Sequence, residues 1–312
     1  MLFALRASGL GVAHISQNFL ICKQIENSSL LYKKHKSHIA KEATINNICI
    51  ALPLMEIKMI KIVVSGIGGH MGKILSDMII NKNDNNMKLV AGVDKFISTD
   101  SLYDGKVKCF KSFNDIDIDY DIVIDFSHHD MTKELIDSAV KNNKKLVIAT
   151  TGQTADELDI IKNATKNIPI FFAANYSLGV TLLIDLAKKA VSIFDDADIE
   201  IVETHHNRKI DAPSGTALAI ASGIKEVINN ANFVLGRSGQ KKREKNDIGI
   251  NSIRMGNIVG IHEVLISTNS QTITLKHEAH DRAVFAEGAI SAAKFMADKG
   301  PGMYSMNDLV KT

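Results

Sequence analysis

Residues 60–72 read IKIVVSGIGGHMG, and their pattern indicates how the chain that follows them folds. Its opening, IKIVVSG, is short, apolar and rich in β-branched residues, as a buried parallel strand requires. Glycines follow, and MGKILSDMII then has the spacing of a helix. A strand, a glycine turn and a helix in this order begin a βαβ unit of the kind that binds dinucleotides, although the glycines fit G-x-G-x-x-G only loosely.

Strands and helices continue to alternate as far as residue 177. Further candidate strands are KLVAGVD (88–94), YDIVIDFS (120–127), KLVIATTG (145–152) and IPIFFAANYS (168–177), with candidate helices at 131–143 and 156–167. This alternation predicts a mostly parallel sheet with helices on both faces, a Rossmann-like, doubly wound α/β domain.

The pattern changes after Ser177. A long helical run, LGVTLLIDLAKKAVSIF, leads to the strand ADIEIVETHH and the helix SGTALAIASGIKEVI, and strand-like runs then follow without long helices between them. This predicts a second α+β domain with an open mixed sheet. We therefore divide the chain into an N-terminal extension (1–58), a dinucleotide-binding domain (59–177) completed by a helical tail (283–312), and a substrate-binding domain (178–282).

Composition argues against several classes of protein. The formal charge of +2 gives no basic surplus for binding nucleic acid. No apolar run approaches the roughly 18 residues of a membrane span. Cys22, Cys49 and Cys109 are too few and too scattered for a disulfide framework or a thiolate metal site, which suits a reducing compartment.

Residues 1–58 differ from the rest of the chain. Only Glu26, Glu42 and Glu56 are acidic there, and the hydrophobic pattern is irregular. An organelle transit peptide is one interpretation. We favour a disordered extension, or an upstream start before a true start at Met59, because the folded pattern begins abruptly at Ile60. The expected location is therefore the cytoplasm.

The candidate cofactor residues follow predicted strands. Glycines let the backbone approach a pyrophosphate at the start of a helix, where N–H groups are unpaired. Asp94 can accept hydrogen bonds from the ribose hydroxyls of NAD, and Lys95 can pair with the 2′-phosphate of NADP, so both cofactors are expected to be tolerated. Two later strand ends can border the nicotinamide, and Phe126 can pack against the cofactor. The candidates are Gly66, Ile67, Gly68, Gly69, His70, Met71, Asp94, Lys95, Ala149, Thr150, Thr151, Ala173, Ala174, Asn175 and Tyr176.

A second cluster lies in ETHHNRKIDAPSGTA, residues 203–217. Lys209 is a cation that can bind a carboxylate or donate a proton, and Gly215 and Thr216 open a helix whose amides can bind an anion. Histidine titrates near neutrality, so His205 or His206 can supply a proton, and spacing alone does not say which. Adjacent strand residues point to opposite faces, so the two histidines are poorly placed to hold one metal ion. A cation, free amides and a proton source together predict a pocket for a small carboxylate that is protonated during the reaction.

The same segment resembles the signature of the dihydrodipicolinate reductase family. The resemblance extends from about residue 60 to the C-terminus and includes the glycine loop, ATTG, AANYS, RMGNIVGIHEV and KHEAHDRAVFAEGA, but not the first 58 residues. His70 and Lys95 stand where the family usually has arginine, and Ala149 replaces a frequent glycine.

The resemblance implies both an activity and roles for particular residues. It implies reduction of a cyclic imine dicarboxylate with NADH or NADPH, without a metal, in lysine and diaminopimelate biosynthesis. By resemblance, His205 and Lys209 are catalytic and His206, Gly215 and Thr216 bind substrate. The family is typically homotetrameric through the second-domain sheet, with hinges at the positions of Ser177 and Arg282.

Two other functions are compatible with parts of the pattern. Another two-domain dehydrogenase, acting on a small carboxylate or a semialdehyde, would need a different constellation such as a nucleophilic cysteine, and Cys109 is badly placed for that. A nucleotide-sensing protein would bind NADH without oxidising it, and it would not require the histidine–lysine cluster.

Overall fold

Two β-sheets organise the part of the chain that the computed structural model describes, residues 59–81 and 86–310. The predictions for residues 1–58, including Cys22 and Cys49, lie outside these residues. The strands are β1 (Ile60–Ser65), β2 (Met87–Val93), β3 (Ser101–Leu102), β4 (Val107–Phe110), β5 (Ile122–Asp125), β6 (Lys145–Ile148), β7 (Pro169–Phe172), β8 (Asp198–His205), β9 (Asn232–Leu235), β10 (Asp247–Arg254), β11 (Gly260–Ser267), β12 (Thr272–Ala279) and β13 (Gly302–Tyr304).

Seven α-helices accompany the strands within the described residues. They are α1 (His70–Asn81), α2 (Thr132–Lys141), α3 (Ala155–Ala164), α4 (Leu178–Ile193), α5 (Gly215–Lys225), α6 (Ala283–Met296) and α7 (Met306–Val310). None of the helices in this part of the chain is long and apolar enough to cross a membrane.

The first sheet has eight strands in the order β13-β7-β6-β5-β1-β2-β4-β3. Every pair is parallel except β3 with β4. Side chains of β1 alternate between the two faces, so Ile62 and Val64 join a core with α1 and α6, while Val63 joins a core with α2 and α3. Helices on both faces of a mostly parallel sheet confirm the predicted doubly wound fold.

The second sheet has five strands in the order β12-β11-β8-β10-β9. The neighbours β8, β10 and β9 are parallel, whereas β11 runs antiparallel to both β8 and β12. Helices α4 and α5 cover one face, where side chains such as Leu183 and Ile220 pack on Ile201 and Val264. The open mixed sheet with helices on one face was also predicted.

The C-terminal elements return to the first sheet. Strand β13 pairs with β7, and the buried alanines of α6 pack in the same core as Ile62. Gly288 allows α6 to approach the chain after β7, because a Cβ there would lie 1.6 Å from the carbonyl oxygen of Tyr176. The close approach of α6 therefore depends on the absence of a side chain at position 288.

A Gly288→Ala substitution is expected to destabilise the fold by roughly 1–3 kcal/mol, because backbone must move to admit the methyl group. Urea unfolding measures this free energy. Gly300→Ala is the control, since a Cβ there meets nothing within 4 Å. Equal stability of the two variants would contradict the packing.

Candidate active site

The predicted cofactor residues all follow strands of the first sheet. The loop that begins with Gly66 follows β1, Asp94 follows β2, Ala149 follows β6 and Ala173 follows β7. Because these strands are parallel, their carboxyl ends lie at one edge of the sheet. In doubly wound sheets this edge binds the ligand.

The glycine loop packs closely against neighbouring backbone. Gly66 has φ of +74°, and a Cβ there would lie 2.4 Å from the carbonyl oxygen of Phe126. A Cβ on Gly72 would lie 2.0 Å from the carbonyl oxygen of Gly66, so α1 packs directly on the loop. The first N–H groups of a helix have no partner within it, and those of α1, from His70 onward, are available to an anion.

Asp94 ties the end of β2 to the glycine loop. Its Oδ2 accepts a hydrogen bond from the Gly68 N–H at 3.0 Å, and its Oδ1 accepts one from the Phe96 N–H at 2.9 Å. A carboxylate has about four lone-pair sites, so it can also accept from a ribose hydroxyl. Beside it lies a cleft of about 440 Å³, lined by Ser65, Gly66, Gly69, Val93, Asp94, Lys95, Phe96, Phe126, Ser127, His128, Asp130 and Met131. The glycine cradle, the helix start and the cleft fit a nicotinamide dinucleotide.

A network of side-chain hydrogen bonds, mostly buried, lies at the carboxyl edge of the sheet. Thr150 Oγ1 accepts a hydrogen bond from the Ser127 N–H at 2.9 Å, and Ser127 Oγ lies 2.6 Å from Asp125 Oδ1. Burial raises the pKa of Asp125. The sequence singled out Thr150 and Phe126 here but missed the roles of Asp125 and Ser127, whose only signal was their place at a strand end.

The chain after β7 links the two sheets. Asn175 Nδ2 donates to Thr216 Oγ1 at 3.0 Å, which connects a predicted cofactor residue to a predicted substrate residue. Tyr176 turns inward, and its buried hydroxyl donates to the Ile148 carbonyl at 2.9 Å. Its side chain is therefore a core contact, and only the Tyr176 backbone can serve the predicted cofactor contact.

His205 ends β8 and pairs with a buried carboxylate. Its Nδ1 bonds Glu203 Oε2, and Glu203 is fully buried. Arg254 donates from Nη1 and Nη2 to the two oxygens of Glu203 at 3.0 and 2.7 Å, and the Ser214 N–H adds a bond of 3.1 Å. Burial alone raises the pKa of Glu203, but hydrogen bonds, led by those from Arg254, lower it to about 2. Glu203 is therefore ionised, and it orients the His205 ring.

Lys209 and the start of α5 lie near this pair. Lys209 Nζ makes an ion pair with Asp211 Oδ1 at 2.8 Å. Ser214 caps α5 by accepting the Ala217 N–H at 3.1 Å, and a Cβ on Gly215 would meet nothing within 4 Å. The N–H groups that open a helix have no partner within it, and the space beside Gly215 is open, so the start of α5 can bind a carboxylate.

His206 lies beyond the end of β8 in a different setting. The backbone N–H of His206 donates to the Ile258 carbonyl at 2.8 Å, and the residue lines a second cleft of about 760 Å³. His70 and Arg282 line the same cleft. The predicted cofactor residue His70 and the predicted substrate residue His206 therefore share one space between α1 and the second sheet.

His262 is a member of the site that sequence reasoning missed. Its Nε2 lies 3.2 Å from Ser214 Oγ, and its ring packs edge-on against His205 with centroids 5.1 Å apart. Burial lowers the pKa of His262 to about 4, so the ring is neutral near pH 7. The sequence did contain a signal for His262: in the strand GIHEVLIS, period-2 alternation puts the histidine at a buried position.

Glu203, His205 and His262 also have the composition of a metal site, with candidate ligand atoms within 4.8 Å of one another. Both oxygens of Glu203 already accept from the Arg254 guanidinium, which supplies a positive charge in that space. The group is therefore charge-compensated by the chain itself.

A dinucleotide-binding sheet edge beside a histidine–carboxylate pair, a lysine and an anion-binding helix start defines a class of protein: two-domain oxidoreductases that use a nicotinamide cofactor. The family described as "Dihydrodipicolinate reductase, N-terminus" matches residues 60–176, and "Dihydrodipicolinate reductase, C-terminus" matches residues 179–310. The chain belongs to the dihydrodipicolinate reductase family, as the sequence resemblance predicted.

Individual relatives agree with this assignment. The 4-hydroxy-tetrahydrodipicolinate reductase of Clostridium novyi (strain NT) is 42% identical over 256 residues, covering 81% of this chain and 99% of the relative. That of Rickettsia bellii (strain OSU 85-389) is 43% identical over 253 residues, covering 81% and 95%. The solved structure of a dipicolinate-bound dihydrodipicolinate reductase from Paenisporosarcina sp. TG-14 has a TM-score of 0.67 at 26% identity, covering 79% of this chain and 97% of that one.

Acidification is expected to destabilise the fold through His262. Its pKa lies at about 4, below the ordinary value of 6.5, so the unfolded chain takes up the proton first. The stability that neutral His262 contributes is complete above about pH 6.5 and is lost as the pH falls through about 4. In urea unfolding, His262→Gln should lose roughly 3 kcal/mol less than the unmodified chain between about pH 7 and 4. His280→Gln, at an exposed histidine, should lose as much as the unmodified chain.

Proposed function

We propose that the chain reduces 4-hydroxy-tetrahydrodipicolinate to tetrahydrodipicolinate with NADH or NADPH, in lysine and diaminopimelate biosynthesis. The observation that carries the proposal is the ionised Glu203 bonded to His205, beside Lys209 and the open start of α5. This set joins a proton source to an anion site, and a nucleotide-sensing protein would need neither.

The cofactor residues are those at the carboxyl edge of the first sheet. The N–H groups at the start of α1 bind the pyrophosphate, and Asp94 accepts from the adenine ribose. Thr150, Thr151 and the backbone after β7 border the nicotinamide, which supplies a hydride when bound.

In the second domain, backbone and side-chain donors bind the substrate, and a histidine supplies the proton. Gly215 and Thr216 offer backbone N–H groups to one substrate carboxylate, and Lys209 and His206 provide donors for the other charged groups. Glu203 holds the proton of His205 Nδ1, so Nε2 is the atom that transfers a proton. The product gains one hydride and one proton, and a 4-hydroxy substrate also loses water. Lys209 stabilises the negative charge that develops on the ring as the hydride arrives.

We also propose that four copies associate through the second sheet in the cytoplasm, without a metal. The face opposite α4 and α5 carries a row of paired residues, Ile261, Thr204 and Ile253, and Ile253 is 42% exposed. Association through this face would bury an exposed apolar side chain, that of Ile253. The proposed domains remain 59–177 with 283–312, and 178–282, each containing one sheet.

The first test is oxidation of NADH and of NADPH, followed by the loss of the absorbance of the reduced nicotinamide, with substrate generated by a coupled dihydrodipicolinate synthase. The full chain and a version that begins at Met59 should both turn over. Lys209→Ala should lower kcat by roughly 10²- to 10⁴-fold, as expected for loss of a positioned proton donor or charge. Tight binding of NADH without any oxidation would overturn the reductase assignment in favour of a sensor.

Cofactor preference depends on Lys95, which is exposed in the cleft beside Asp94. Lys95→Ala should lower kcat/KM for NADPH roughly 10-fold, because a charge-assisted bond to the 2′-phosphate is lost, and should leave the value for NADH nearly unchanged. Lys106→Ala, at an exposed lysine outside the cleft, controls for the loss of one positive charge. An equal loss with both cofactors would contradict this role for Lys95.

A further inference from the structure

Arg254, the last residue of β10, contacts two separate parts of the site. Its side chain is mostly buried, with 19% exposed. Strand β10 pairs in parallel with β8, which puts Arg254 directly opposite His205 in the register. From this position the guanidinium reaches Glu203 on one side and the loop that carries Lys209 on the other.

The first contact leads to His205. Arg254 binds the Glu203 carboxylate with two nitrogens, at 3.0 and 2.7 Å. Two parallel bonds fix both the position and the plane of a carboxylate, which one ammonium group does not do. Glu203 in turn bonds His205 Nδ1, so the arginine determines the orientation of the ring through the carboxylate.

The second contact leads to Lys209. Arg254 Nη2 also donates to the carbonyl oxygen of Asp211 at 2.7 Å. The side chain of that same residue pairs with Lys209 Nζ at 2.8 Å. The loop between β8 and α5 is thus attached to the sheet at the residue that holds the lysine.

We propose that Arg254 and Glu203 are positioning residues that hold the proton-transfer group, His205, and the cation of the site, Lys209, in one hydrogen-bonded network. This inference rests on the proposed function, which gives His205 and Lys209 their roles. Neither Arg254 nor Glu203 touches the reacting atoms, and each acts through the group that it orients.

The network also determines the charge surrounding His205. Burial lowers the pKa of His205, the Glu203 carboxylate raises it, and Lys209 and Arg254 lower it. Another titratable neighbour is His262, whose pKa is lowered by burial to about 4 and which packs as a neutral ring near pH 7. Removing the charge of Glu203 should therefore lower the pKa of His205, whereas Arg254→Lys keeps the positive charge and changes only the geometry.

Steady-state kinetics of the full chain test the positioning. Arg254→Met should lower kcat about 100-fold, within the range for a misplaced general acid, with KM for the nicotinamide cofactor unchanged because that cofactor binds the other sheet. Arg254→Lys keeps the positive charge but cannot form two parallel bonds to the carboxylate, so it should still lower kcat about 10-fold relative to the unmodified chain. In Glu203→Gln, the pH at which kcat falls should move to lower values.

Arg243→Lys is the matched control. Like Arg254, Arg243 is mostly buried, with 18% of its side chain exposed, and it bonds a carboxylate, Glu200 at 2.9 Å, as well as backbone carbonyls. It also pairs with Asp198 at 2.7 Å, and its partners do not include Glu203. Its substitution should leave kcat and the pH profile unchanged. An equal fall in kcat for Arg243→Lys and Arg254→Lys would reduce Arg254 to a structural arginine and overturn the proposal.

NMR titration of the His205 imidazole, without substrate or cofactor, separates this proposal from the proposed function. The signal is assigned by its disappearance in His205→Asn. The network predicts a proton on Nδ1 and a lower pKa in Glu203→Gln than in the unmodified chain. An unchanged pKa would overturn the role of Glu203 even if the enzyme turns over. A chain that does not turn over but shows the shift would overturn only the function.

Discussion

A buried negative charge at Glu203 is the constraint on which the second sheet and helix α5 depend. An ionised carboxylate that is fully removed from water is tolerated only where donors surround it. Arg254 at the end of β10, the Ser214 N–H before α5 and His205 at the end of β8 supply those donors. Each lies on a different element, so the strand register and the entry into α5 must all agree before the charge is compensated. Breaking one partner of such a group is far more damaging than the group's net contribution to stability suggests.

Two contacts constrain the chain after β7, one with helix α6 and one with the start of α5. Helix α6 packs on the chain after β7 because residue 288 has no side chain. Asn175, the residue directly before Tyr176, donates to Thr216 at the start of α5. The proposed cofactor edge and the helix proposed to bind substrate are thus linked by a hydrogen bond beside a tightly packed segment. Small displacements of reacting groups have large effects on rate, and such links limit them.

The local patterns predicted the fold better than they predicted the site. Strand periodicity and the glycine turn gave the doubly wound sheet, although the short strands β3, β4, β9 and β13 were not predicted. The histidine–lysine segment was found because its residues are neighbours in sequence. Arg254 and His262 were missed because they join it only through strand pairing, opposite His205 and Glu203 respectively. No periodicity within one segment reveals a partner that lies about 50 residues away on another strand.

Strand alternation also separates two histidines that are adjacent in sequence. Side chains two residues apart on a strand share a face, so Glu203 and His205 point the same way, toward the helices and His262. His206 is out of phase with them and lies beyond the strand end, where it lines the cleft shared with His70. The motif E-x-H therefore gives His205 a carboxylate partner on its own face of the strand, which His206 does not share. Because a carboxylate on Nδ1 fixes the tautomer and supports a proton on the ring, the geometry favours His205 for proton transfer and leaves His206 free to contact a ligand.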